Sequence, residues 1–278
     1  MPTDPLALRA RQVSATTYTH GHEPAVVAAH GTRTVSNSAP RLGPRLRGGM
    51  AVLDVGCGPG SITADLAGLV SPGGTVVGLD RALSVVKTAS AHHPGFAVVS
   101  GDVASLPFAD GSFDVVHAHQ VLQHLADPVA ALREMARVCR QGGIIAARDA
   151  DYAAMTWFPE HPALTRWREL YRAMARANGA EPDAGRRLAS WANAAGLRGV
   201  DVTAGVWCYS TPAQRAWWAG QWAERILTGA FVAQAAALGV GQAELAALAG
   251  GYRQWAVEPD GWFVVVHGDL LATPAARP

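Results

Sequence analysis

The stretch VLDVGCGPGS, residues 52–61, decides how the rest of the chain reads. An apolar run enters Gly56, Gly58 and Gly60, after which Ile62, Leu66 and Leu69 recur at the spacing of one helix face. This predicts a strand, a tight turn and a helix. Glycine is needed where the backbone turns sharply or lets a ligand approach, and the helix start offers unsatisfied N–H groups to a carboxylate or other polar group. A dinucleotide turn, G-x-G-x-x-G, would place its third glycine at position 61, where Ser61 stands. Lys87 is the single lysine and no tyrosine lies four residues before it, which also argues against nicotinamide chemistry.

Outward from this turn, short apolar runs alternate with helical patterns, as βαβ units of a parallel sheet require. GTVVGLD ends at Asp80, FAVVSGD at Asp102, FDVVHAH at His119 and IIAARD at Asp149. The helix before IIAARD is expected to start with Asp127 as N-cap and Pro128 at its first position, to bury Val129, Leu132, Met135 and Val138, and to stop at Gly142. VDVTAGVWCYS and GWFVVVHGDLLA read as two late strands, giving an α/β fold with a mostly parallel seven-stranded sheet. Residues 1–49 read as an N-terminal helical cap, with helices expected over Pro24–His30 and Val35–Leu46. Two helical insertions, at about 151–182 and 211–257, interrupt the main domain of residues 50–278. Ligands of open α/β sheets bind beyond the carboxyl ends of the strands, so these insertions are expected to form a lid there.

Composition narrows the partners. The chain has 278 residues, 49% of them hydrophobic and 16% charged, enough for a full core in one large domain. A net charge of +1 with scattered arginines gives no footprint for nucleic acid or an anionic membrane, leaving a small molecule as the expected partner of a monomer or homodimer. Cys57, Cys139 and Cys208 form no C-x-x-C pair, and the HGHE run at 20–23 has no further ligand at metal spacing, so no metal is expected. Neither a long apolar run nor a signal-peptide pattern appears, and the expected location is the cytoplasm.

The G-x-G-x-G turn behind Asp54, Asp80, the GD at 101–102, FDVVHAHQVLQHL and ALREMARVCRQGG, taken in order over about residues 50–150, resemble the motifs of Rossmann-like class I S-adenosylmethionine (SAM) methyltransferases. The chain also resembles the UbiE-like, type 11 small-molecule group. From YTHGHEPAVVAAHGTRTVSNSA onward it is similar to enzymes that include epidithiodiketopiperazine thiol methyltransferases. The resemblance implies SAM as cofactor and S-adenosylhomocysteine as product. It implies that Asp80 accepts from the ribose hydroxyls, that Arg81 packs beside the adenine or is solvated, and that Asp102 and the Val103 N–H meet the adenine. Gly56, Gly58 and Gly60, with the backbone at His119 and Gln120, would surround the methionine portion. Asp54 would orient the turn, and Tyr18, His20 and Arg33 would lie near the methionine carboxylate.

Methyl transfer from a sulfonium is an in-line displacement, so positioning is the main demand, and well-oriented reactions gain roughly 7 to 11 kcal/mol from it. A thiol is already partly ionised at neutral pH, whereas an aliphatic hydroxyl or activated carbon needs a base. His119 and His124 follow the fourth strand and Asp149 the fifth, at the active end of the sheet, so His124 or His119 is the expected base, with Asp149 to orient it. Gln123, His124, Asp151, Trp157 and Trp218 are the expected substrate contacts, while His117 and Asp114 are expected to be structural. The tryptophans of the insertions suggest an apolar, ring-containing acceptor methylated at sulfur or oxygen. C-methylation of a quinone precursor and non-catalytic SAM binding are the alternatives.

Overall fold

Seven strands build one sheet in the order β3-β2-β1-β4-β5-β7-β6, and only β7 runs against the rest. The computed structural model describes residues 31–93 and 95–276. The strands are β1 (Ala51–Val55), β2 (Thr75–Asp80), β3 (Ala97–Ser100), β4 (Phe113–His119), β5 (Cys139–Phe158), β6 (Arg198–Tyr209) and β7 (Trp262–Thr273). The helices are α1 (Val35–Ser38), α2 (Ser61–Val70), α3 (Leu83–His92), α4 (Pro128–Val138), α5 (Pro162–Ala177), α6 (Leu188–Ala194), α7 (Pro212–Ile226), α8 (Gly229–Ala237) and α9 (Gln242–Ala256). The central strands are apolar runs buried on both faces, so no alternation marks them.

One face of the sheet packs Leu53, Val116 and Ile145 against Leu132 and Met135 of α4 and Leu188 of α6. The other packs Val52, Val76 and Val115 against Ile62 and Leu66 of α2 and Val35 of α1. Leu69, expected on the buried face of α2, is exposed, and Val70 takes its place. The α4 start follows its sequence signal, because the Asp127 carboxylate accepts the Ala130 N–H at 2.9 Å ahead of Pro128. Its end does not: the helix stops at Val138, Cys139 is already extended, and Gly142, at φ 72°, sits in the turn beyond.

Two other expectations are corrected. The helix expected over Val35–Leu46 is only α1 followed by a 3-10 turn at Gly43–Arg45, since Pro40 forces Ala39 out of the helical region (φ −142°). The Pro24–His30 helix lies outside the described residues. The first insertion does not begin at 151, because β5 runs on to Phe158 and pairs with β7 as far as Trp262, with a register shift between Asp151 and Thr156. Its helix, α5, starts only at Pro162.

The helices α5, α7 and α9 pack over this extension and make a core of their own. Trp167 is fully buried at its centre, edge-on to Trp222 (4.4 Å between centroids) and to Tyr252 (5.3 Å). Trp255 ties α9 to the strand by donating its indole N–H to the Phe158 carbonyl at 3.1 Å. Emptying such a site removes dispersion contacts the neighbours cannot restore, so Trp167→Ala should lower unfolding free energy by about 3 to 5 kcal/mol, read as a drop in urea midpoint.

Candidate active site

The β1–α2 turn is left-handed at each glycine, with φ of 67° at Gly56, 55° at Gly58 and 90° at Gly60. A Cβ at Gly56 would lie 2.4 Å from Val121 Cγ2, so this backbone is pressed against the loop that follows β4. A Cβ at Gly58 would meet nothing within 4 Å, so that side of the turn faces open space. The strand tips are hydrogen-bonded together: Gly56 N–H donates to the Leu79 carbonyl (2.6 Å), Gly58 N–H to Asp80 Oδ2 (3.1 Å), and Gly101 N–H to the Asp80 carbonyl (3.1 Å). Asp80 Oδ1 also accepts from Ala82 N–H, and Asp102 Oδ1 from Ala104 N–H, each at 2.9 Å. Both carboxylates stay partly exposed, Val103 is buried and Arg81 is exposed.

Beneath the turn, buried Asp54 accepts from Thr63 Oγ1 (2.6 Å) and from His117 Nδ1 (2.7 Å), locking the start of α2 to β4. Asp114 is likewise structural, accepting the Ala51 N–H at 2.7 Å and pairing with Arg140.

Past β4 the chain turns at Gln120, whose φ of 54° is the positive value of a non-glycine among the described residues. Such a conformation costs on the order of 1 to 3 kcal/mol and points to a functional constraint. Gln120 receives Arg33 Nη2 on Oε1 (2.7 Å), lies 3.0 Å from His267 Nε2 through Nε2, and donates its N–H to the Arg148 carbonyl (2.7 Å). Arg33 also lies over Trp207, 5.7 Å from the ring centroid.

Arg33 and Gln120 open onto a cavity of about 530 Å³ between the cap segment, β5, β6, β7 and α7. Tyr152, Trp207, Tyr209, Trp217, Trp218 and Trp222 supply its aromatic wall. Tyr209 stacks on Trp218 at 4.5 Å, and Trp207 packs on His267 at 4.4 Å. Burial pushes the Tyr209 phenol up, against the opposing pull of Arg33 and Arg225, which places both guanidiniums within electrostatic reach of that ring.

His119 and His124, expected near the reacting atoms, do not line this cavity. Burial and then the Arg33 charge press His119 well below the ordinary histidine value and hold His124 at about 3, so both are neutral at neutral pH. Gln123, fully buried, lies 3.0 Å from His124 Nε2 and accepts the Ala150 N–H, also at 3.0 Å, instead of reaching the cavity. Asp149 orients no ring. Its Oδ1 accepts the Gln123 backbone N–H (3.0 Å), its Oδ2 has no hydrogen-bond partner among the described residues, and burial raises it to about 7. Asp151 is paired with Arg186 (2.6 Å), and Trp157 lies in the insertion core, stacked on Phe263 at 5.4 Å, because its residue is on β5 and not on a helix. Trp218 alone of the expected substrate contacts lines the cavity. Tyr18 and His20 lie outside the described residues. Sequence reasoning missed His267, Trp207 and Tyr209; the last two sit two apart on β6, so the strand period of Trp207-Cys208-Tyr209 was the available signal.

A family model described as a methyltransferase domain matches residues 53–147. The uncharacterized methyltransferase C1B3.06c of Schizosaccharomyces pombe is 32% identical over 230 residues, covering 76% of this chain and 80% of that protein. A demethylmenaquinone methyltransferase of Beutenbergia cavernae is 40% identical over 113 residues, 41% of this chain and 45% of that protein. Among solved structures, Haemonchus contortus phosphoethanolamine N-methyltransferase 2 in complex with S-adenosyl-L-methionine superposes with a TM-score of 0.52 at 17% identity, over 85% of this chain and 51% of that one. The YcgJ protein of Bacillus subtilis gives 0.51 at 20% identity, over 83% and 94%. The fold and the glycine turn define a Rossmann-like, SAM-dependent methyltransferase. The chain belongs to the methyltransferase family that its model and its yeast relative represent.

Among the described residues no helix is long and apolar enough to cross a membrane, and no group of three or more His, Cys, Asp or Glu is placed to hold a metal ion.

A carboxyl whose folded pKa is raised binds a proton in the folded state that the unfolded chain has already released. Asp149 therefore contributes stability below about pH 4 that is lost as pH rises to about 7. Asp149→Asn keeps the acceptor for Gln123 N–H, and its urea midpoint should fall less than the wild type's between pH 4 and 7.

Proposed function

We propose that the chain transfers a methyl group from SAM to a sulfur or acidic oxygen of an apolar, ring-bearing small molecule. The observation that carries this is the aromatic cavity, which reaches from Gln120, beside the glycine turn, to α7. The turn fits the cofactor, because Gly58 faces open space where a side chain would intrude, with two partly exposed carboxylates on the neighbouring strand tips. In this reading Asp80 takes the ribose hydroxyls, Asp102 and the Val103 N–H take the adenine, and Gly56, Gly58 and Gly60 line the methionine portion. Arg33, held by Gln120, neutralises the methionine carboxylate, and Asp54 fixes the turn through Thr63 and His117. SAM supplies the electrophilic methyl group.

The residues of the chain then have three tasks. The aromatic wall holds the acceptor ring, the cap segment and α7 flank it and limit water, and the guanidiniums favour an ionised acceptor. Among the described residues the cavity wall carries neither imidazole nor carboxylate, and His119 and His124 are held neutral away from it. That favours an acceptor that ionises without a base, a thiol or an acidic phenol, over an aliphatic hydroxyl. In this reading His119, His124 and Asp149 are buried behind the wall and take no part in the transfer.

Two measurements test this. Asp80→Ala should weaken SAM binding by about 1.5 to 3 kcal/mol in calorimetry, the worth of a hydrogen bond to a charged group, and an unchanged affinity would place the ribose elsewhere. With labelled SAM, a panel of aromatic thiols, phenols, aliphatic alcohols and quinols should be methylated at the thiols and acidic phenols. Turnover confined to quinol carbon would overturn the acceptor assignment.

A further inference from the structure

Arg33 is held at two points. Its Nη2 donates to Gln120 Oε1 at 2.7 Å, and its guanidinium lies over the Trp207 ring. The Trp207 indole N–H donates in turn to the Asn37 carbonyl at 2.7 Å, on the segment that carries Arg33. Behind both partners stands His267 of β7, fully buried, packed on Trp207 at 4.4 Å and with its Nε2 3.0 Å from Gln120 Nε2. His267 does not itself line the cavity, so its effect on a ligand passes through these neighbours.

Donor and acceptor counting fixes the protons along this chain of contacts. A guanidinium only donates, so the Gln120 atom that meets it is the carbonyl oxygen, and the amide NH2 is turned toward His267. That NH2 only donates as well, so His267 Nε2 presents a lone pair and the ring proton sits on Nδ1. The ring is neutral, since burial and then the Arg148 and Arg33 charges press it well below the ordinary histidine value. A proton on Nε2 would set donor against donor, and the amide would turn its NH2 toward Arg33. The left-handed φ of 54° at Gln120, and its N–H bond to the Arg148 carbonyl at 2.7 Å, hold the amide between its two partners.

Resting on the reading that Arg33 meets the methionine carboxylate, we infer that His267 is a positioning residue for cofactor binding: as the Nδ1–H tautomer it fixes the Gln120 amide, and the amide sets the Arg33 guanidinium against the carboxylate. A guanidinium meets a carboxylate best in one planar orientation, so what holds it matters as much as its charge.

Two measurements on the full chain test this. In nitrogen NMR with isotope-labelled histidine, the His267 ring, identified by its loss in His267→Gln, should show a protonated Nδ1 and a bare Nε2 at neutral pH. Calorimetry then compares S-adenosylhomocysteine with methylthioadenosine, which lacks the amino-acid portion. His267→Leu should weaken S-adenosylhomocysteine by about three- to tenfold, the scale of one neutral hydrogen bond, and leave methylthioadenosine unchanged, which also reports that the variant is folded. His267→Gln, with an oxygen that can replace Nε2, should restore most of the loss. In an Arg33→Met background His267→Leu should cost nothing more. A proton on Nε2, an equal loss of both ligands or a loss of neither would overturn the inference and leave the methyl-transfer reading standing. The tautomer is read on the wild type, so it decides even where the leucine variant does not fold. If Arg33→Met binds S-adenosylhomocysteine as tightly as the wild type, the carboxylate role of Arg33 falls, and this inference with it.

Discussion

Gly56 has no room for a side chain. Its backbone turns left-handed where Val121 already occupies the position a Cβ would take, so β1 and the loop after β4 are locked into one close approach. From that contact the rest is placed in sequence. Val121 fixes Gln120, whose unfavourable φ aims one side chain at both Arg33 and His267, and Arg33 brings the cap segment over Trp207. The neighbouring Asp54 pins α2 through Thr63 and β4 through His117. The turn that receives the cofactor and the wall that faces the acceptor are thus parts of one packed unit, and a shift of either would misalign an in-line displacement.

The sheet beside this unit holds more buried polar groups than an apolar core would need. Arg148 of β5 and Asp269 of β7 pair at 2.5 Å with both side chains almost fully buried, and Gly205 of β6 leaves them space, since a Cβ there would come within 2.5 Å of the guanidinium. Desolvation makes such a pair weak evidence for stability but strong evidence for register, because sliding β7 by one residue would strand both charges. The same dry surroundings keep His119 and His267 neutral. A neutral imidazole adds no charge to a region that already holds Arg33 and Arg148, and the positive field is left to the guanidiniums.

How much of this the sequence revealed depends on the range of the interactions. The succession of strands along the chain, the glycine turn and the tip positions of Asp80 and Asp102 were legible because each rests on a local pattern of β-branched runs closed by turn residues. The α4 start was legible for the same reason, as Asp127 and Pro128 act within one turn. The extension of β5 was not, because Asp151–Phe158 has no alternation and becomes a strand by pairing with β7, far along the chain. That also misplaced Trp157, which faces Phe263 in a core. The positions of His119, His124 and Asp149 were legible but their environments were not, since burial there comes from residues as distant as His267 and Trp207.

Trp222 connects stability to specificity. It is fully buried in the insertion core, where Trp167 and Tyr171 meet it edge-on, and it also lines the cavity beneath Arg225. Its position is therefore set by packing on three helices and not by whatever occupies the cavity, so the wall is organised before a ligand arrives. Trp218 lies one turn nearer the start of that helix and shares both places, in the insertion core and in the cavity wall. Packing and the shape of the cavity therefore fall on the same residues of one helix, Trp218 and Trp222, so a change that reshapes the wall also disturbs the core.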